Sequence, residues 1–519
     1  MRALQTLSEK KALLLAGIFF ASITCIALTP FLFFGKIFLP TDAAAYYYPI
    51  FDFYSDALKS HQSFLWNPYI FSGFPTYVSQ SAGFFDPLNI SLFRFLNVFA
   101  AYHIRLAIDF FLAMFFSYLA VRALGLSRLA ACLVGPAYLL AFNWGYISNP
   151  VIRNSLFLMP FLIWVGMQIT KSRSWNIGWA VLGGVGIGWS FLSGYAQLTV
   201  YASFLLGLFV IGDFVFVKRK YSLRNMAKTF GLLGLMIVVG GVIALPQILP
   251  TMDFTSLTVR AHGLAYDLTT IKVINPGDLI LFLFPDNLYF PYITGGRRPL
   301  YVGAAVFLFA IIGAYTLVRR IRKRTEDPLL EVEKRISLIF SIFLFCFFAA
   351  VAYSPLFFFL QKLPILSYFR FPYRWMYLGA WFLACLGAYG FDLLRTQPIE
   401  NWLKKLSMIL AGGGSLMVIF VAALTVFGQS VWHRVGDTMH AFFGLFLYGH
   451  IGLDKDPSHY RDALGRGIDA WRELLSLASP DFLFPFLALV FAIMLIYLVS
   501  RGLLSRNSFS IAGFTLATC

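Results

Sequence analysis

Apolar runs long enough to cross a bilayer recur along nearly the whole chain, and this feature limits the fold more severely than any other. A hydrocarbon core of roughly 30 Å takes about 20 residues of helix to cross. Inside it the backbone must satisfy its own hydrogen bonds, so each run has to be helical. By that measure spans fall near residues 12–33, 104–121, 129–147, 154–170, 176–193, 197–217, 229–249, 300–318, 336–353, 373–393, 408–427 and 481–500, with a further run from 508. The expected fold is all-α: a polytopic integral membrane protein of about 12 transmembrane helices (11–13). Composition agrees, with 59% of the residues hydrophobic and only 13% charged, about half the charge of a soluble globular chain.

In a soluble chain a net charge of +17 would suggest a nucleic-acid partner. Topology explains it instead. With a cytoplasmic N-terminus, 24 of the 41 Lys and Arg fall on short connections facing the cytoplasm, including Lys218-Arg219-Lys220 and the cluster from Arg319 to Arg324. The other 17 are spread over much longer loops or lie at the opposite side. That is the positive-inside pattern, and no nucleic acid is expected. The first apolar run, Ala12 to Phe34, is long for a signal-peptide core and reads as an uncleaved span. The five cysteines lie in apolar spans or at the last residue, and no CxxC occurs. Neither a disulfide framework nor a zinc site is supported, and no cofactor or divalent metal is indicated.

Three long loops, 34–103, 250–299 and 428–480, share the outer side with the shorter 354–372. Loops of such length are uncommon without a task. The expected division is a transmembrane core over 1–427, including outer loops 34–103, 250–299 and 354–372, followed by 428–519, an outer loop with the C-terminal helix or helices. In the first loop Asp42 lies just beyond the first span, where a carboxylate can stay ionised and take a proton from an acceptor hydroxyl. A capping or interfacial aspartate fits the same position. Ile50, Tyr54, Ala57 and Leu58 then form an apolar stripe at helical spacing, with Asp52, Asp56 and Lys59 on another face. This predicts an amphipathic helix lying on the membrane. Tyr46 to Tyr48, Trp66 and Tyr69 suit either stacking on sugar rings or an interfacial aromatic belt. Between them, Trp66-Asn67-Pro68-Tyr69, Ser72-Gly73-Phe74-Pro75 and Gly83 to Asn89 are rich in the residues that hold defined turns.

The run TDAAAYYYPIF…LWNPYIFSGFPTYVSQSAGFFDPLN resembles the opening loop of the YfhO family of bacterial membrane proteins. Three later stretches agree in order: Leu192 to Gln197 (LSGYAQ), Leu245 to Pro250 (LPQILP) and Tyr368 to Arg374 (YFRFPYR). Many members of that family continue into further spans and an outer domain, whereas this sequence ends at Cys519. The family is in turn similar to the GT-C glycosyltransferases, which take sugar from a polyprenyl-phosphate carrier and transfer it outside the cytoplasm. That resemblance implies Asp42 as catalytic base.

A carrier phosphate needs positive charge near the base. Arg370 and Arg374 are four apart, so on one helix they would share a face. Pro372 suits a first helical turn, and helix N-termini attract anions. These arginines would make a phosphate clamp, or else anchor the helix by snorkelling. Tyr46, Trp66, Asn67, Gln197 and Arg297 complete the candidate substrate contacts, with Arg298 and Arg260 as weaker basic candidates. Asp278 and Asp286 read as solvated loop acids, Asp109 as the helix partner of Arg105, and Asp213 as a residue reaching water at the cytoplasmic end. His433, His440, His450 and His459 lack zinc-motif spacing. The glycines at 183, 184, 186 and 188 lie inside a span and read as helix packing.

The function this implies is a bacterial cytoplasmic-membrane glycosyltransferase. It would move a sugar from a polyprenyl-phosphate donor to a hydroxyl on a glycopolymer, glycolipid or protein outside the cytoplasm, by direct inverting displacement. The alternative is a lipid-linked glycan flippase or other transporter, which wants polar residues along a path through the bilayer. Reporter fusions test the topology. A fluorescent protein fused after Lys220 or Arg324 should glow and alkaline phosphatase there should be inactive, with the reverse after Gly296; the opposite pattern would invert the orientation.

Overall fold

The computed structural model describes residues 8–37, 43–78, 82–142, 150–172, 174–218, 222–258, 260–261, 263–264, 273–274, 276–285, 299–323, 330–351, 354–397, 401–426, 438 and 480–518. The structural statements below concern those residues. The helices in chain order are α1 (Glu9–Ala27), α2 (Tyr48–Lys59), α3 (Pro87–Phe95), α4 (Val98–Leu124), α5 (Arg128–Leu140), α6 (Leu158–Lys171), α7 (Ile177–Leu192), α8 (Ala196–Gly212) and α9 (Leu223–Thr255). After them come α10 (Ala304–Lys323), α11 (Glu331–Ala350), α12 (Pro355–Gln361), α13 (Trp375–Thr396), α14 (Asn401–Val426), α15 (Pro480–Ser500) and α16 (Arg506–Thr518). Among the described residues two short strands form an antiparallel hairpin in the first loop, β1 (Trp66–Asn67) with β2 (Phe74–Pro75), and Ala261 and Gly263 make an isolated bridge.

Local sequence sets the helix ends. Asn97 accepts a hydrogen bond from Ala100 N at 2.8 Å at the start of α4, and Gly125, at φ +105°, closes it. Ser127 then caps α5. Among the described residues seven helical spans are long and apolar enough to cross a membrane, and eight if α11 and α12, bent by 77° at their junction, count as one. Each expected span coincides with a helix. Several, among them α5, α6 and α7, are too short to be counted as crossings on length alone, so the expected twelve is not reached by that criterion.

Burial separates the centre from the lipid side. The apolar window of α13 is 89% buried, whereas those of α1 and α9 are 22% and 28% buried. α13 is thus enclosed by protein, while α1 and α9 turn most of their surface outward. Small residues bring the helices together: Gly184 and Gly188 of α7 meet Gly240 of α9, where each backbone passes close to the other. The glycine run is a packing surface, as in other small-residue membrane interfaces.

Two expectations are corrected by this packing. The apolar stripe of α2 (Ile50, Phe51, Tyr54, Ala57, Leu58) is buried in protein, against α3 and the start of α4, and does not lie on lipid. The long first loop folds over its own helix and uses that face as a second small core. Asp213 does not reach water either; it is buried, and Arg335 of α11 donates to it at 3.0 Å. Asp52 and Asp56 are exposed, as expected. Loop 428–480 lies outside the described residues except for positions 438 and 480, and so do its four histidines.

Gly188→Ala should lower the thermal midpoint in detergent, because a Cβ there would stand 3.0 Å from the Gly240 carbonyl oxygen and closer still to Ile243. Overpacking of this kind costs about 1–3 kcal/mol. Gly207→Ala in α8, which meets nothing within 4 Å, should be neutral or slightly stabilising, since alanine is the better helix former by about 1 kcal/mol.

Candidate functional site

Four stretches distant in sequence meet at one end of the bundle, and Asp86 is the first link between them. Pro87 occupies the first turn of α3, and Asp86 caps that helix, its Oδ1 accepting from Leu88 N at 2.9 Å. The carboxylate is completely buried and accepts three more hydrogen bonds. They come from Trp189 Nε1 of α7 (2.9 Å), Arg105 Nη1 of α4 (2.5 Å) and Ser193 Oγ in the α7–α8 turn (2.7 Å). Arg105 also binds Asn89 Oδ1 at 3.0 Å and both oxygens of Asp109, at 3.0 and 3.1 Å. Arg153, over the Tyr102 ring at 4.2 Å, is ion-paired with Asp109 at 3.7 Å. The reading of Asp109 as Arg105's helix partner holds, within a larger group. Two aspartates and two arginines are thereby buried together with balanced charge. Two donors, Arg105 Nη2 and Arg153 Nη1, have no acceptor among the described residues.

The α7–α8 turn carries the connection onward. Gly83, at φ +63°, lies so close to the Ser193 carbonyl that a Cβ would stand 2.8 Å from its oxygen, so the first loop reaches the turn backbone to backbone. The same carbonyl accepts from Asn154 Nδ2 at 3.1 Å. Four residues on, buried Gln197 donates to the Arg370 carbonyl at 2.9 Å and to the Tyr201 hydroxyl at 3.0 Å. Its side-chain oxygen accepts from Arg374 Nη1 at 2.7 Å. On the other flank Gln247 of α9 donates to the Tyr77 carbonyl at 3.0 Å.

Arg370 and Arg374 come together, but not along one helix. Pro372 to Arg374 form a single 3-10 turn, and α13 starts at Trp375. The α region is disfavoured for a residue before proline; Phe371 is left-handed, at φ +65°, and Arg370 lies outside the helix. Both guanidinium groups then flank the Phe371 ring, at 5.1 and 4.6 Å. Arg374 also lies 4.9 Å from the Tyr195 ring centre, in the range of cation–π attraction. Arg260 joins them: its segment pairs with the 366–368 turn through Leu264 N to Ser367 O at 3.1 Å. Burial, then the positive charges of Arg370 and Arg374, push the Arg260 pKa down. Arg370 is exposed and the other two are half-buried. Among the described residues no carboxylate pairs with any of the three, and Arg374 Nε is buried without an acceptor.

The remaining candidates separate. Tyr46 is half-buried against Tyr47. Asn67 is buried and holds the hairpin by accepting from Tyr69 N at 2.9 Å, which is a turn role. Trp66 is exposed at the hairpin. Asp278 is buried at 1% exposure and is not a solvated loop acid. Asp42, Arg297, Arg298 and Asp286 lie outside the described residues. Sequence reasoning took Asp86 as a turn residue and passed over Ser193, Trp189, Arg153 and Gln247. The signal was available for three of them: Asp86, Ser193 and Gln247 are the polar members of otherwise apolar motif stretches. Among the described residues no three His, Cys, Asp or Glu side chains gather as a metal site.

No family model matches the sequence, and no curated protein matches it. Among solved structures the chain is similar to the crystal structure of ArnT from Cupriavidus metallidurans bound to undecaprenyl phosphate. The identity is 15% and the TM-score 0.42, over 93% of this chain and 77% of that one. It is similar also to the apo state of the same protein, with 16% identity and a TM-score of 0.41, over 92% and 76%.

Asp86→Ala leaves Arg105 and Arg153 facing a single carboxylate in a dry interior. Breaking a buried pair from one side costs on the order of 3–5 kcal/mol. A clear fall in the thermal midpoint of the detergent-purified protein should follow, larger than for Asp52→Ala on the exposed face of α2. Equal midpoints would show that the Asp86 contacts contribute nothing to stability.

Proposed function

We propose that this chain is a YfhO-like, GT-C-type membrane glycosyltransferase that uses a polyprenyl-phosphate-linked sugar donor and an acceptor hydroxyl outside the cytoplasm. The observation that carries the reading is the cluster of Arg260, Arg370 and Arg374 at the loop end of the bundle, unpaired with carboxylate among the described residues. An anionic ligand is what such a cluster can bind. Planar guanidinium groups suit phosphate oxygens by geometry as well as charge. A phosphate held there gains negative charge as the glycosidic bond to it breaks, so the same arginines would stabilise the departing carrier more than the donor. Gln197 fixes the position of both Arg370 and Arg374.

In this reading Asp42 takes the acceptor proton as its oxygen attacks the anomeric carbon from the face opposite the phosphate. The sugar would pass over with inversion, and Tyr46, Trp66 and Arg297 are proposed to contact the substrates. What supports a surface reaction over transport is the pairing of the buried ions: Asp86, Arg105, Asp109 and Arg153 neutralise one another, as do Asp213 and Arg335.

Asp42→Asn should abolish sugar transfer from a synthetic polyprenyl-phosphate donor in purified, nanodisc-embedded protein, with the thermal midpoint unchanged. Full turnover in that variant would remove Asp42 as the base. Arg370→Ala combined with Arg374→Ala should raise the donor KM and lower kcat by at least tenfold each; unchanged values would leave these arginines a purely anchoring role. Mass analysis of cell-envelope glycans with and without the protein identifies the product.

A further inference from the structure

We propose that the tip of the β1–β2 hairpin is seated in the headgroup region of the leaflet on the loop side, as an aromatic wedge that holds the first loop on the lipid surface. Leu65, Tyr69 and Phe71 are among the exposed large side chains there, Tyr69 at 82% and Phe71 at 79%. From Ser63 to Val78 the sequence contains no charged residue. A loop tip in water is seldom so apolar, whereas aromatic and uncharged residues concentrate at the bilayer interface.

The backbone is committed to the display. Phe71, Ser72 and Gly73 have φ of +52°, +61° and +111° in succession, and the Trp66 ring closes over Gly73. Left-handed conformations at two consecutive non-glycine residues persist only where their surroundings enforce them.

Continuity with the lipid-facing surface fixes the occupant. The rings of Phe71 and Phe74 lie 6.0 Å apart, and Phe74 meets Phe254 at 6.3 Å, in the last turn of α9. Less than a third of the apolar window of α9 is buried, and Leu249, Met252 and nearby Leu257 are exposed just where the hairpin joins it. The uncharged run Phe230 to Met252 rises about 33 Å at about 1.5 Å per residue, enough to cross the hydrocarbon core of roughly 30 Å. Phe254 therefore stands at the boundary of that core, and the hairpin at the same level. The face of α2 that would otherwise have touched lipid is spent on the protein core.

A nitroxide label on Phe71→Cys, and separately on Tyr69→Cys, reads the depth. The full-length protein is placed in nanodiscs of phosphatidylethanolamine and phosphatidylglycerol, and the signal of the unsubstituted chain is subtracted. The reference is Gln62→Cys, exposed in the same loop. Labels at 69 and 71 are expected to relax severalfold more with dissolved oxygen than with a water-soluble nickel chelate, and the label at 62 the reverse. Chelate access at both 69 and 71 equal to that at 62 overturns the proposal. If added oligosaccharide then shields them, the tip is a glycan surface instead. Each labelled variant should keep the thermal midpoint of the parent, which separates depth from misfolding.

Discussion

The buried carboxylate of Asp86 and the guanidinium of Arg105 set the terms for everything built at the loop end. In a buried interior a lone ion of either sign costs several kcal/mol, and a pair is favoured only when its geometry is good and its remaining valences are filled. Asp86 meets this by accepting four hydrogen bonds from three different parts of the chain, and Arg105 reaches three side chains while its Nη2 finds no acceptor among the described residues. Apolar helix faces can slide or rotate against one another with little loss. A four-coordinated carboxylate cannot, and so the first loop, α4 and the α7–α8 turn are held in one register.

That register matters because the turn is short. Ser193, bound to Asp86, is four residues from Gln197, which holds Arg374 by its guanidinium and Arg370 by its carbonyl. A shift of the first loop would be passed directly to the arginines. Among the described residues the outward-turned helices α1 and α9 have no comparable polar tie along their apolar windows; α9 instead uses Gln247 toward its end and glycine contacts along its length. Polar bonds therefore set position at the loop end, and small-residue packing sets it within the bilayer.

Much of this was legible in the sequence. Hydropathy located the long helices among the described residues, because a membrane span is dictated by length and composition alone; the count of twelve crossings is not reached on that criterion. The LSGYAQ and YFRFPYR stretches marked Gln197, Arg370 and Arg374, which the structure joins. What sequence could not give was the means of joining. Arg370 and Arg374 looked like neighbours on a helix, since spacing of four is all that periodicity reports; the proline at 372 disfavours helix at Phe371, which is left-handed, and the pair is made across a bend. The stripe on α2 was read correctly as apolar and assigned wrongly to lipid, because a sequence states that a face is buried without stating what buries it. Asp86 was missed for a related reason: a helix cap and a buried ion-pair partner have the same signature, Asp before Pro, and only tertiary contact distinguishes them.

The two polar groups at the loop end differ in a way that bears on their roles. Around Asp86 the charges balance, two against two, so the group is electrostatically complete and its effect is mechanical. Around Gln197 three arginines gather with aromatic rings and no carboxylate among the described residues, so positive charge is left uncompensated at the loop end of the bundle. Mutual repulsion makes such a cluster unfavourable in the free protein. Cation–π contacts with Phe371 and Tyr195 and the Gln197 hydrogen bond offset part of that cost without adding negative charge. A scaffold that neutralises its ions where they serve structure, and holds cations together with neutral partners a few residues away, keeps its electrostatic attraction available for an anion from outside.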